Sequence, residues 1–340
     1  MPHLFDPYAA RSLELRNRIV MSPMCQYSAR EDGTVTDWHF VHYGARAVGG
    51  VGLVILEMSQ VAPHGRLSPH DIGIWDDAQV PGLRRIVDLV HAHGAAVGLQ
   101  LGHAGRKADP VFENVGPSPI AFSDRYRVPQ ALDRHGVAQV VDQFAAAARR
   151  ANEAGFDMVE IHGAHGYLLH QFLSPISNQR EDAYGGDLGG RARLMYEVAD
   201  AIRNVFAHEK PVFARLSMLE AGAEGGYPLS DTLEVSSRLH REHGVDLIDC
   251  TTGGNAPVAE PEPPGFRLPL SAAVKAQGVP AMPVGRMEFP ELAEAAVSSG
   301  QADLVALARG LLRDPHWALN AQRALHLEIT PPTQYRRAYR

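Results

Sequence analysis

An alanine-rich stretch with helical periodicity ends at a glycine, an apolar run of strand type follows almost at once, and the pair recurs along the chain. It occurs at Gly50 before residues 53–57, at Gly94 before 96–101 and at Gly155 before 158–161. Gly244 before 247–250 and Gly300 before 304–308 repeat it. A glycine just past a helix supplies the left-handed turn that ends it, and a short loop then feeds the next strand. The segment before Gly155 shows the helical period, with Val137, Val140, Val141, Phe144 and Ala148 on one face.

Three more apolar runs, at 19–21, 212–216 and 280–285, bring the candidate strands to eight. The runs are mostly unbroken rather than alternating, as parallel strands covered on both faces should be. Crossovers through helices of this length predict a parallel sheet, and eight units without a shift in composition favour closure. The predicted fold is an α/β TIM (β/α)8 barrel forming one domain over residues 1–340, a usual size for this architecture. Residues 1–18 are expected to form a short cap or hairpin over the barrel bottom. Residues 109–134 read as a long loop after strand three, and 256–269, with five prolines, as a rigid loop after strand six. Residues 316–340 form an extended tail; the Pro331-Pro332 break before its basic, aromatic end predicts that it leaves the barrel and docks elsewhere.

Composition narrows the class. Hydrophobic residues are 45% and charged residues 21% of the chain, the profile of a globular protein with a large core. A net charge of −7 argues against a nucleic-acid partner while leaving room for a local phosphate pocket. No run reaches membrane-spanning length and the N-terminus lacks a signal-peptide pattern, so a cytoplasmic location without membrane attachment is expected. Cys25 and Cys250 are the only cysteines, which excludes a disulfide framework or an iron–sulfur cluster.

Candidate chemistry gathers just past the strand ends, the face that carries active sites in this fold. Ser22-Pro-Met-Cys-Gln-Tyr27 follows strand one, Gln100 and His103 end strand three, and His162-Gly-Ala-His-Gly-Tyr167 follows strand four. Arg215 is a cation inside an apolar strand and requires an acceptor, for which a structural ion pair or the pyrimidine edge of a flavin would serve. Gly285-Arg286 and Arg309-Gly310 end the last two strands, where such barrels hold a phosphate on backbone N–H groups. Two imidazoles in one turn, His162 and His165, can aim N–H groups at one substrate oxygen, and the Tyr167 phenol can supply a proton beside them. Metal ligation by the same histidines, with Cys25 or Glu160, is the rival reading; no second histidine or acidic cluster on a neighbouring strand end completes it. His39, His42, His91 and His93 fall in helix-like segments.

At these residues the chain resembles the old yellow enzyme family of flavin ene-reductases, specifically its bacterial thermophilic-like subgroup. The resemblance runs through nearly the whole chain. It is carried by Asn17-Arg-Ile-Val-Met-Ser-Pro-Met-Cys25 with Tyr27, by Gln100-Leu-Gly-His-Ala-Gly-Arg-Lys107 and by Glu160-Ile-His-Gly-Ala-His-Gly-Tyr-Leu168. Phe172-Leu-Ser-Pro, with Asn178, Arg180, Asp182 and Tyr184-Gly-Gly186, extends it.

The resemblance implies a bound FMN, with NADPH or NADH as co-substrate, and hydride transfer in two half-reactions to an α,β-unsaturated carbonyl or nitro compound. It implies that backbone groups of Pro23 and Met24, the loop at Met58 and the side chains of Gln100 and Arg215 hold the flavin ring, with Cys25 beside it. Gly285, Arg286, Ala308 and Arg309 would hold its phosphate. His162 and His165 would bind the substrate oxygen, Tyr167 would donate the proton, and Cys25 and Tyr27 would line the pocket. It further implies a homodimer or homotetramer in which a C-terminal arginine, Arg337 or otherwise Arg336, reaches a neighbouring subunit's site. The chain departs from the family pattern at Ala308-Arg309, where Gly-Arg is frequent, at Arg286-Met-Glu-Phe289, and at Met58, where a small residue is common. Two alternatives remain from the residues alone: an FMN-binding redox sensor with a reactive Cys25, and a metal-dependent barrel hydrolase using the histidine pair.

Overall fold

A computed structural model describes residues 1–339 except 221, 260 and 261. Eight parallel strands form its main sheet: β1 (Ile19–Met21), β2 (Leu53–Gln60), β3 (Ala96–Gly102), β4 (Met158–Gly163), β5 (Val212–Ser217), β6 (Leu247–Thr251), β7 (Ala281–Pro283) and β8 (Val305–Leu307). Each of β1 to β6 pairs with the next, β8 pairs with β1, and a parallel bridge between Val284 and Ala306 closes β7 onto β8. The result is the TIM barrel that the strand runs predict, with β7 and β8 shorter than their apolar runs and β2 and β4 longer.

Helices separate the strands: α1 (Asp37–Val48), α2 (Val80–Ala92), α3 (Arg134–Ala154), the short α4 (Leu168–Leu173), α5 (Leu188–Val205), α6 (Leu229–Glu242), α7 (Leu268–Lys275), α8 (Pro290–Ser298), α9 (Arg309–Arg313) and α10 (Trp317–Ala324). All five punctuating glycines, at 50, 94, 155, 244 and 300, have positive φ, the conformation that ends a helix at least cost for a residue without Cβ. His39 and His42 lie within α1. The His39 ring accepts the Thr36 N–H at 2.9 Å and closes the first turn, so its job is capping.

Along each strand, alternate residues enter two separate cores. Val54, Leu56, Val159, Ile161, Ala214, Leu216 and Ile248 face the helices. Val20, Leu53, Ile55, Met158, Phe213, Leu247 and Met282 fill the barrel interior, together with Leu13 and Leu15. Those two leucines belong to an antiparallel hairpin, Tyr8–Ala10 with Leu13–Leu15, which lies over the lower end of the barrel. At the interior position Gly98 a Cβ would stand 2.0 Å from the Met158 sulfur, so the space that Met158 fills requires glycine there.

Candidate functional site

The alternation that puts Met158, Phe213 and Leu247 inside also puts Glu160, Arg215 and Asp249 inside, one step nearer the C-terminal end of the barrel, and His162 one step beyond Glu160. Gln100 stands opposite Glu160, His162 opposite Arg215, and Arg215 opposite Asp249. Gln100 Nε2 donates to Glu160 Oε1 at 2.7 Å. Arg215 Nε approaches Asp249 Oδ2 at 3.3 Å, yet neither that nitrogen nor either Asp249 oxygen completes a hydrogen bond. Burial and the Asp249 charge raise the Glu160 pKa, and burial raises that of Asp249. Sequence reasoning found Arg215 as a cation in an apolar strand; the same test applied to Leu247-Ile-Asp-Cys250 finds its partner.

Above this layer opens a cavity of about 310 Å3. Its wall includes Pro23, Cys25, Tyr27, Met58, Gln100, His162, His165, Tyr167 and Arg215, and at the far side Gly285, Arg286, Ala308 and Arg309. Of the residues expected in the site, Met24, His103, Arg336 and Arg337 are not in the wall. The Met24 side chain packs against the helix-facing core, while Arg337 is exposed in the turn Thr333–Tyr339. The wall also holds residues to which the sequence assigned no role, among them Ser22, Arg267, Met287 and Glu288. Arg267 comes from the proline-rich loop after β6; its Nε donates to Thr252 Oγ1 at 2.7 Å and its Nη1 to the Val284 carbonyl at 3.1 Å.

The β4 turn carries the densest chemistry. The His162 ring lies 5.2 Å from the His165 ring and 4.9 Å from the Tyr167 ring, centroid to centroid, in edge-to-face contact. His165 and Gly166 both have positive φ, and a Cβ on Gly166 would strike the Gly254 carbonyl at 2.2 Å. A histidine in that conformation is strained backbone, of the kind that concentrates at functional sites. The Ala164 N–H donates to His162 Nδ1 at 3.3 Å, which leaves Nε2 as the ring's N–H. His165 Nε2 meets Thr251 Oγ1 at 3.0 Å, and its backbone N–H is held by Ser217 Oγ at 3.0 Å. Burial, and then the Arg215 cation, lower the pKa of both imidazoles. Both are therefore neutral donor–acceptors near neutral pH, and burial pushes the Tyr167 phenol up, so it stays protonated.

The loop after β1 is anchored from below. Glu57, buried in β2, accepts the Gln26 N–H at 3.0 Å and the Tyr43 hydroxyl at 3.1 Å. Tyr27 has positive φ and is half exposed at the rim. Burial, reinforced by the Glu57 carboxylate, pushes the Cys25 thiol well up. Reactive sensor cysteines are held as thiolates, so this environment is the opposite of the one a sensor needs.

At the far end the backbone itself forms the wall. A Cβ on Gly285 would lie 2.7 Å from the Phe266 ring, and one on Gly310 would lie 2.8 Å from Glu288 Cβ. Arg286 donates to the Glu262 carbonyl at 3.0 Å, and Arg309 pairs with the Glu262 carboxylate. These features fit FMN: a buried guanidinium with an unmade hydrogen bond suits the ring's acceptor edge, and glycine-lined turns carrying arginines suit its phosphate. Among the described residues, no group of three or more His, Cys, Asp or Glu side chains could hold a metal ion.

A closed barrel with such a cavity at its strand ends suits an FMN-dependent oxidoreductase, and comparison with known proteins establishes the class. The model of the NADH:flavin oxidoreductase / NADH oxidase family matches residues 3–328. An NADPH dehydrogenase of Geobacillus thermodenitrificans (strain NG80-2) is 44% identical over 339 residues, 99% of this chain and 98% of the relative. Among solved structures, morphinone reductase superposes with a TM-score of 0.83 at 29% identity, covering 98% of this chain and 92% of that one. A 2-naphthoyl-CoA reductase superposes with a TM-score of 0.90 at 26% identity, but this chain spans 52% of its length. The chain belongs to the NADH:flavin oxidoreductase / NADH oxidase family, the family of the old yellow enzyme. It is an enzyme that binds FMN and uses a nicotinamide nucleotide.

Proposed function

We propose that this enzyme reduces the activated carbon–carbon double bond of α,β-unsaturated carbonyl or nitro compounds, with NADPH or NADH as the hydride source. The observation that carries the reading is the His162–His165–Tyr167 triangle, two neutral imidazoles and a protonated phenol on one wall of the cavity. Bound FMN supplies hydride transfer in both half-reactions.

The protein's own part is positioning and charge. His162 presents Nε2–H and His165 its Nδ1 to the substrate oxygen, and the negative charge that builds there as the β-carbon is reduced falls on preorganised donors. Tyr167 protonates the α-carbon from the same wall. Pro23 and Met24 through their backbone, with Cys25, Met58, Gln100 and Arg215, hold the ring. Gly285, Arg286, Ala308 and Arg309 would hold its phosphate. Tyr27, half exposed at the rim, contacts the substrate.

The reading extends to a cytoplasmic single-domain chain that works as a homodimer or homotetramer. The exposed turn at residues 333–339 supports it, since Arg337 is exposed there and is not part of the wall of its own cavity. No described helix is long and apolar enough to cross a membrane.

The test is Tyr167→Phe in the FMN-loaded enzyme. Reoxidation by 2-cyclohexenone should slow by roughly 100-fold or more, while reduction by NADPH stays near wild type. Equal losses in both half-reactions would remove Tyr167 from the proton-donor role.

A further inference from the structure

Lys107 ends the turn after β3 and has no part in the chemistry described so far. Its ammonium donates to the His165 carbonyl at 2.9 Å and to the Gly254 carbonyl at 3.0 Å. It lies 5.2 Å from the centroid of the Tyr167 ring and 4.4 Å from that of Phe122. Among the described residues no carboxylate pairs with it, so its charge is answered only by backbone oxygens and ring faces. Burial, and then the neighbouring Arg106, bring its pKa down to about 8, which leaves it mostly charged at neutral pH.

We infer that Lys107 is a positioning charge for Tyr167, stabilising the phenolate that forms when this side chain gives up its proton. The inference rests on the proton-donor reading of Tyr167. In that step the Oη–H bond breaks and a bond from hydrogen to the α-carbon forms. The O–H electron pair stays on the phenol oxygen, the hydride received by the β-carbon would come from bound FMN in its reduced form, and water later restores the phenol proton. Before transfer, what the ammonium meets at Tyr167 is the quadrupole of a neutral ring. After transfer, the same ring carries a full negative charge in a wall where burial opposes ionisation. The attraction therefore grows along the reaction, which is the condition for lowering a barrier rather than merely tightening binding. Lys107 also ties the His165 turn to the Gly254 turn, so the structural and electrostatic contributions must be separated.

The FMN-loaded wild type is compared with Lys107→Gln, Lys107→Arg, Tyr167→Phe and the double variant Tyr167→Phe/Lys107→Gln. Both half-reactions are followed without oxygen, and the affinity for cyclohexanone, a saturated ketone, is read from the flavin spectrum. Lys107→Gln keeps a donor and loses the charge; it should slow reoxidation by the enone on the order of 10- to 100-fold. Reduction by NADPH and cyclohexanone affinity should each stay within about twofold. Lys107→Arg should recover most of the loss, and the double variant should be no slower than Tyr167→Phe alone, as expected for a residue acting through another. If Tyr167→Phe spares reoxidation, the proton-donor reading fails and this inference with it. If Tyr167→Phe slows reoxidation but Lys107→Gln does not, the inference alone is overturned. Loss of cyclohexanone affinity with both half-reactions slowed alike would reduce Lys107 to a strut between two turns and overturn it equally.

Discussion

Two rings of side chains inside this barrel come from the same strands and lie two residues apart. The lower ring, with Met158, Phe213 and Leu247, is apolar and fully buried. The upper ring, with Glu160, Arg215 and Asp249, is charged, nearly as buried, and leaves hydrogen-bonding atoms unpaired. Strand pleating presents both rings to the same interior. Their difference is therefore one of residue type, and it divides the labour: the lower ring holds the barrel shut, and the upper ring keeps polarity that the fold alone leaves unsatisfied and a bound cofactor can use. Buried charge of this kind is weak evidence for stability and better evidence for a site.

The largest expected effect comes from breaking the upper ring. Arg215→Met leaves Asp249 buried without its cation beside Glu160 and should destabilise the protein by about 3–5 kcal/mol. It should also weaken FMN binding at least roughly tenfold, the worth of one charged hydrogen bond. Thermal unfolding and reconstitution of the apoprotein with FMN measure the two losses; unchanged FMN affinity would separate Arg215 from the ring-binding role. In the lower ring, Phe213→Ala should cost a similar 3–5 kcal/mol or so through its cavity. The molecules that remain folded should keep FMN affinity and both half-reaction rates near wild type. If the two variants lose FMN alike, the division between the rings does not hold.

A smaller effect sharpens the upper end. His103, beyond the end of β3, is fully buried, and burial lowers its pKa to about 3 from an ordinary value of 6.5. The unfolded chain therefore takes up this proton first, and the contribution of His103 is present above pH 6.5 and lost as pH falls toward 3. Wild type should lose stability relative to His103→Gln by up to about 1.4 kcal/mol per pH unit below 6.5. Urea unfolding of both proteins between pH 7.5 and 5 gives the difference, and a flat difference would mean that His103 is not held neutral.

The barrel was legible because five of its eight strands are apolar runs preceded by a helix that ends at a glycine, a local signal repeated often enough to count. The histidine pair and Tyr167 were legible for the same reason, since one turn holds all three. Asp249 was overlooked although its signal was present, an acid within an apolar strand at the depth of Arg215. Lys107 and Arg267 were a different matter. Their neighbours lie on other turns, with Lys107 bonding to residues 165 and 254, and Arg267 to 252 and 284. No period or spacing brings such positions together before the chain has closed. The Met24 side chain leaves the cavity because the loop after β1 presents Pro23, Cys25 and Tyr27 to it and turns Met24 toward the outer core.

The most direct test of the account is an anaerobic visible spectrum of the purified protein, taken before and after NADPH and then after 2-cyclohexenone. The expected result is a yellow protein whose flavin bands bleach with NADPH and return with the enone. Bleaching with NADPH and no return with 2-cyclohexenone or any other enone or nitroalkene would contradict it.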